Sequence, residues 1–166
     1  MIFTLIGMPG SGKSSIGKAV SKKLAMTCID GDDLIEKKAG KKLWLLVNEL
    51  GVEGFKALEE KVLSEFDEDG CILATGGSAV YSDLAMKHLK SKGKVVYLKV
   101  SLEIIKERLG DFSKRGVVLR KGQTIDDLYN ERCSLYEKYA DITIDCSGNA
   151  FSKYQSELIK IIQKET

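Results

Sequence analysis

Apolar positions along this chain fall into two spacings that alternate from end to end. Short unbroken apolar runs at 2–6, 27–30, 71–74, 94–100 and 141–145 read as strands buried on both faces. Between them the spacing lengthens to the three-and-four rhythm of helices. The first helical stretch, 13–25, carries it in Ile16, Ala19, Val20 and Leu24. Further helices are predicted at 34–38, 43–50, 52–66, 82–92, 102–109, 124–139 and 150–163. Thr124 is a plausible cap for one of them, with Asp126 and Asp127 in its first turn. Only 110–123 loses apolar periodicity. Strands alternating with helices predict an α/β fold, a parallel sheet with helices on both faces. Sites in such sheets gather at the carboxyl ends of the strands. Four segments fall there: 7–14, 30–33, 75–78 and the loop after Asp145.

The first of these has the most specific chemistry. Gly7-Met8-Pro9-Gly10-Ser11-Gly12-Lys13-Ser14 places two glycines with four residues between them before Lys-Ser, after a strand and at the start of a helix. Glycines let backbone amides close around a polyphosphate, and the helix N-terminus adds partial positive charge. Lys13 would reach the β- and γ-phosphates and the Ser14 hydroxyl would ligate Mg²⁺.

The other segments are weaker alone. Asp30-Gly31-Asp32-Asp33 could hold a metal-bound water or take a proton from an attacking hydroxyl; equally, Asp32 or Asp33 could simply cap the next helix. Thr75-Gly76-Gly77-Ser78 could lay bare backbone against a ligand or be no more than a turn. Lys114, Arg115, Arg120 and Lys121 lie in the aperiodic stretch, which reads as a solvated loop or as a lid closing over ATP. Arg132 is open to a surface ion pair or to gripping a substrate carboxylate. His88 is expected at the surface, Trp44 to Val47 in helix packing, and Lys18, Lys22 and Lys23 on a solvated face.

Composition narrows the class. The 166 residues are enough for one domain with a real core, and 43% hydrophobic with 30% charged residues suits a globular chain. A net charge of +2 with dispersed lysines gives no support for a nucleic-acid partner. Cys28, Cys71, Cys133 and Cys146 form no C-x-x-C pair, which favours structural thiols in a reducing compartment. No leader with a cleavage site opens the chain and no apolar run is long enough to span a bilayer, so a cytoplasmic protein is expected.

Together these segments resemble the shikimate kinase family, in the nucleoside-monophosphate-kinase-like branch of P-loop proteins. The resemblance runs from Gly7 to about Asp145. It rests on the loop Gly7 to Ser14, Asp30-Gly31-Asp32 with Ile35-Glu36, and Phe55-Lys56 with Glu59. Gly76-Gly77-Ser78-Ala79-Val80, Arg108, Arg115 and Arg132 with Leu135-Tyr136 complete it. It implies a single three-layer P-loop kinase domain over 1–166, a five-stranded sheet ordered 2-3-1-4-5, a substrate-binding helical segment at about 33–62 and a lid at about 110–123. The implied activity is Mg²⁺- and ATP-dependent phosphorylation of the 3-hydroxyl of shikimate by a monomer.

The implied catalytic residues are Lys13, Asp32 and Arg115. ATP would be held by Gly10, Ser11, Gly12, Lys13, Ser14 and Ser15 with Arg108 beside adenine, and Mg²⁺ by Ser14 and Asp30. Substrate would meet Asp32, Lys56, Gly76, Gly77, Ser78 and Arg132. Departures cluster on the substrate side. Lys56 stands where the family has arginine, Ser78 replaces the third glycine, Gly116 and Ser134 replace prolines, and Val52 replaces a glutamate. They keep open a kinase of another hydroxylated metabolite, such as a gluconate-like acid or a polyol, or a non-catalytic ATP-binding module.

Overall fold

The centre of the molecule is set by its most apolar strand. β1 (Ile2–Ile6) is buried at every position, as a strand must be when it has neighbours on both edges and helices over both faces. In this computed structural model, which describes residues 1–110 and 119–166, four more strands flank it: β2 (Thr27–Asp30), β3 (Cys71–Ala74), β4 (Gly93–Lys99) and β5 (Ile142–Asp145). All pair in parallel, in the order β2-β3-β1-β4-β5. Asp30 pairs with Ala74 and Leu5 with Ala74, so β2, β3 and β1 end level and their loops emerge side by side.

Seven helices among the described residues cover the sheet: α1 (Lys13–Leu24), α2 (Gly31–Ala39), α3 (Leu43–Ser64), α4 (Asp83–Lys92), α5 (Leu102–Leu109), α6 (Ile125–Tyr139) and α7 (Phe151–Glu165). The pattern placed the strand positions within a residue or two. Thr124 caps α6 as expected, its hydroxyl accepting from Asp127 N at 3.2 Å while the Asp127 carboxylate accepts from Thr124 N at 3.0 Å. The two helices expected at 43–50 and 52–66 meet end to end in α3, divided as expected at Gly51, whose φ of 70° is non-helical and suits glycine.

Packing falls into two unequal bodies. The main core joins the sheet to the inner faces of α1, α4, α6 and α7. A second cluster, Ile35, Leu46, Phe55 and Val62, lies between α2 and α3. Three expectations need correction. Trp44 is 62% exposed, because the face of α3 turned inward carries Leu46 and Phe55 instead. His88 is half-buried, its Nε2 2.7 Å from the Phe66 carbonyl, so it closes the end of α3 onto α4. α2 starts at Gly31 rather than at 34.

No helix among the described residues is long and apolar enough to cross a membrane. The four thiols are free. Burial pushes Cys71 up to about 11 and Cys146 to about 12, which leaves both protonated and inert.

Candidate active site

The early start of α2 explains the acidic cluster. Asp30, the last residue of β2, is the N-cap: its Oδ1 accepts from Asp32 N at 2.9 Å and Asp33 N at 3.4 Å. Neither Asp32 nor Asp33 is the cap. Asp30 Oδ2 accepts the Ser14 hydroxyl at 2.5 Å, which ties the end of β2 to the start of α1. Asp32 is therefore left pointing into a cleft of about 330 Å³ that it shares with Lys13, Gly77 and Arg132.

The phosphate loop forms one wall of that cleft. Gly10 and Gly12 have φ of 79° and 95°, a region closed to most side chains. Gly12 caps α1 without a side-chain bond and no acid sits in the first turn, so the amides there and the helix dipole are available to an anion. Lys13 is 8% exposed, and its Nζ donates to the carbonyls of Gly7 and Met8, each at 2.8 Å. Burial lowers its pKa to about 8; Asp32 opposes that shift and Arg132 adds to it.

Opposite the loop, close approach explains the glycine pair. A Cβ on Gly76 would lie 2.8 Å from Asp32 Oδ1 and 3.1 Å from Glu59 Oε2. One on Gly77 would lie 2.7 Å from Arg132 Nη1 and 2.8 Å from Pro9 Cδ. Only bare backbone fits between these charged groups. Tyr136, one turn after Arg132 on α6, donates to the Gly77 carbonyl at 2.7 Å and fixes the turn.

Electrostatics on this side are strained in both directions. Burial, with Asp30 nearby, raises Asp32 to about 6, Lys13 only partly offsetting it. Glu59, 2% exposed, is raised to about 7 by burial despite the Ser78 hydroxyl donating to its Oε1 at 2.6 Å. Glu59 Oε2 has no partner among the described residues. Arg132 is 3% exposed and meets no carboxylate within ion-pair reach among the described residues, so it is not a surface pair. Lys56 lies at the edge of the same region, only 3.9 Å from the exposed Glu53. Its pKa is lowered by burial, then by Arg120.

A second cleft, about 610 Å³, opens on the other side of the loop, between Ser15 and Arg108 on one side and Asn149, Phe151 and Tyr154 on the other. Arg108 Nη1 donates to the Gly10 carbonyl at 3.0 Å. The loop thus stands between two clefts, which suits a polyphosphate entering from one and an acceptor from the other. Lys114 and Arg115 lie outside the described residues. Sequence reasoning named Glu59 and Tyr136 only as parts of the family pattern and the loop after Asp145 only as a place at a strand's carboxyl end, and it gave Tyr81 no role.

Loop, helix and converging carboxylates are those of a P-loop phosphotransferase. The shikimate kinase family model matches residues 9–163. A shikimate kinase of Francisella tularensis subsp. holarctica is 36% identical over 98% of this chain and 94% of its own length. Among solved structures, shikimate kinase from Acinetobacter baumannii in complex with shikimate superimposes with a TM-score of 0.88 at 28% identity, covering 98% of this chain and 93% of that one. Shikimate kinase from Aquifex aeolicus gives 0.82 at 28% identity, covering 98% and 96%. The chain belongs to the shikimate kinase family.

Proposed function

We propose that the protein transfers the γ-phosphoryl group of ATP to the 3-hydroxyl of shikimate, giving shikimate 3-phosphate and ADP. The observation that carries this reading is the single cleft in which the phosphate loop faces Asp32, Gly77 and Arg132. The A. baumannii relative, whose structure contains shikimate, supports the choice of acceptor.

ATP lies with its base in the cleft beside Arg108 and its phosphates over Gly10, Ser11, Gly12, Ser14 and Ser15. Lys13 leaves the loop carbonyls to meet the β- and γ-phosphates, where its charge counts most as negative charge moves to the leaving oxygen. Ser14 and Asp30 offer adjacent oxygen donors of the kind a hard cation takes, which fits Mg²⁺. When bound, that ion supplies neutralisation of phosphate charge. Asp32 accepts the proton of the attacking hydroxyl; a carboxylate raised to about 6 is a better base than an ordinary one and is still ionised at pH 7.5. Lys56 and Arg132 bind the acceptor's carboxylate, with Gly76, Gly77 and Ser78 lying along it. Arg115 takes the γ-phosphate contact and the segment 110–123 acts as the lid. The protein works as a monomer of one domain in the cytoplasm, on a small molecule and without nucleic acid.

A coupled assay of ADP release with shikimate, other hydroxy acids and polyols tests this. Turnover on shikimate is expected. Strong turnover on another acceptor, with none on shikimate, overturns the choice of acceptor. Lys56 and Ser78 are the residues that favour that second reading, since lysine lacks the two-pronged donor geometry of arginine.

A further inference from the structure

The site presents an electrostatic problem that its described carboxylates do not solve. Lys56, Arg120 and Arg132 converge on one small space beside Ser78. Their acidic neighbours are few: Glu53 is 3.9 Å from Lys56 and itself exposed, while Glu131 is 3.9 Å from Arg120, accepts from Gln123 and also faces Lys56 and the Tyr81 hydroxyl. Glu59 is close, but at about 7 it is only partly ionised near neutral pH. Three like charges would be expected to splay outward.

Tyr81 holds two of them. It ends the 3-10 turn Ala79–Tyr81 that follows the glycine pair. The Lys56 ammonium sits 3.9 Å from the centre of its ring, well within the range in which the negative face of an aromatic ring attracts a cation. Its hydroxyl accepts from Arg132 Nε at 3.3 Å, and the Arg132 guanidinium carbon is 5.4 Å from the ring centre. One side chain therefore meets a cation from α3 with its ring and a cation from α6 chiefly through its hydroxyl.

We propose that Tyr81 is a specificity-determining positioning residue: it clamps Lys56 and Arg132 at the separation that receives the acceptor's carboxylate. This rests on the acceptor assigned above. An arginine at 56 would bring its own planar fork; a lysine on a flexible stem has no fixed direction, and the ring supplies one. Tyr81 does not line the cleft that holds Lys13 and Asp32, so it acts through the two cations.

The test separates ring from hydroxyl. Tyr81→Leu removes both contacts and is expected to raise KM for shikimate about tenfold, the scale of a partly desolvated cation–ring contact. KM for ATP and kcat should stay within about twofold of wild type, whereas a general loss of packing would move all three. Tyr81→Phe keeps the ring and is expected to raise KM for shikimate about threefold. An unchanged KM for shikimate in Tyr81→Leu, or an equal rise for both substrates, overturns the proposal. Should Tyr81→Leu fail to fold, an unchanged KM in Tyr81→Phe overturns it.

A second measurement needs no acceptor. In the free wild-type enzyme the Lys56 ε-methylene proton signal, identified by its loss in Lys56→Arg, should lie upfield of the other lysines because it sits over the ring. A signal at the ordinary lysine position overturns the clamp. Failure of wild type to phosphorylate shikimate would remove the acceptor assignment instead, and this signal would still decide whether Tyr81 holds Lys56.

Discussion

The two sides of the cleft are built differently. The phosphate loop hangs from β1, whose residues are all buried, and from α1, which packs into the main core. The acceptor side takes Asp32 and Lys56 from α2 and α3, whose own core is four buried residues and a few half-buried neighbours, while its Arg132 comes from α6 of the main core. α3 is broken at Gly51 and leaves Trp44 and Leu50 exposed. A small satellite core with an interrupted helix has less burial to hold one arrangement than the sheet does. The side proposed to bind the triphosphate is thus the more deeply packed one. The side proposed to select the acceptor carries Val52, Lys56 and Ser78, three of the departures from the family pattern. On the proposed function, the contrast would let the sheet set the reaction and the elements packed against its edge set the acceptor.

The strongest way to break that contrast is on the rigid side. Lys13→Ala is expected to reduce kcat by about 10²–10³-fold, the usual scale for removing a donor aimed at developing charge. Steady-state ADP release measures it. Near-normal turnover would mean that the loop does not hold the transferring phosphate.

Asp32→Asn comes next, and its sign can be worked out. The folded pKa of about 6 lies above the ordinary value of 3.8, so the folded state holds the proton more tightly than the unfolded one. Ionised Asp32 therefore costs stability, from nothing below pH 3.8 to its full amount above pH 6. The amide removes that cost. Asp32→Asn is expected to lose about 10²–10⁴-fold in turnover, the range for a general base, while melting higher than wild type at pH 7.5 and equally at pH 3.5. Thermal melts at both pH values read this. For wild type, kcat/KM should fall as pH drops through about 6; a flat profile between pH 5 and 7 would remove Asp32 as the base.

Smaller effects belong to the acceptor side. Lys56→Arg restores the fork and is expected to lower KM for shikimate up to about tenfold, one charged hydrogen bond's worth, with kcat unchanged. Ser78→Gly removes a hydroxyl beside the substrate, but that hydroxyl is turned to Glu59. Taking it away leaves a buried carboxyl with both oxygens unpartnered. The expected outcome is a loss of about 1–3 kcal/mol in stability, read by urea unfolding. A gain in stability would show that the bond to Glu59 contributes nothing.

How far the sequence could be read follows the same division. The loop from Gly7 to Ser14 was legible because its spacing, strand and helix are all local, and so was the alternation that dictates a parallel sheet. Asp32 was found but not its freedom: whether Asp30, Asp32 or Asp33 capped α2 depended on where β2 stops, and that is fixed by pairing to Ala74. Trp44 was misplaced because two apolar faces of an amphipathic stretch look alike until a partner chooses one. Tyr136 was visible only as part of the family pattern, with no contact assigned to it, and Tyr81 carried no signal at all. Their roles arise from contacts across 25 to 59 residues of chain, to Lys56, Arg132 and Gly77.

The exposed tryptophan offers the mildest test. Trp44 is the sole tryptophan of the chain and sits on α3 between Leu43 and Val47, which both line the acceptor cleft. Being largely in water, it should emit at long wavelength. If the acceptor side is the adaptable one, shikimate should shift or quench this emission by a modest amount as α3 settles against it. A nucleotide, bound from the far side of the rigid loop, should change it less. Titration of each ligand separately, followed by fluorescence, reads the difference. An equal response to both would mean that α3 moves with the phosphate loop as one body, and the division between a fixed side and an adaptable side would fall.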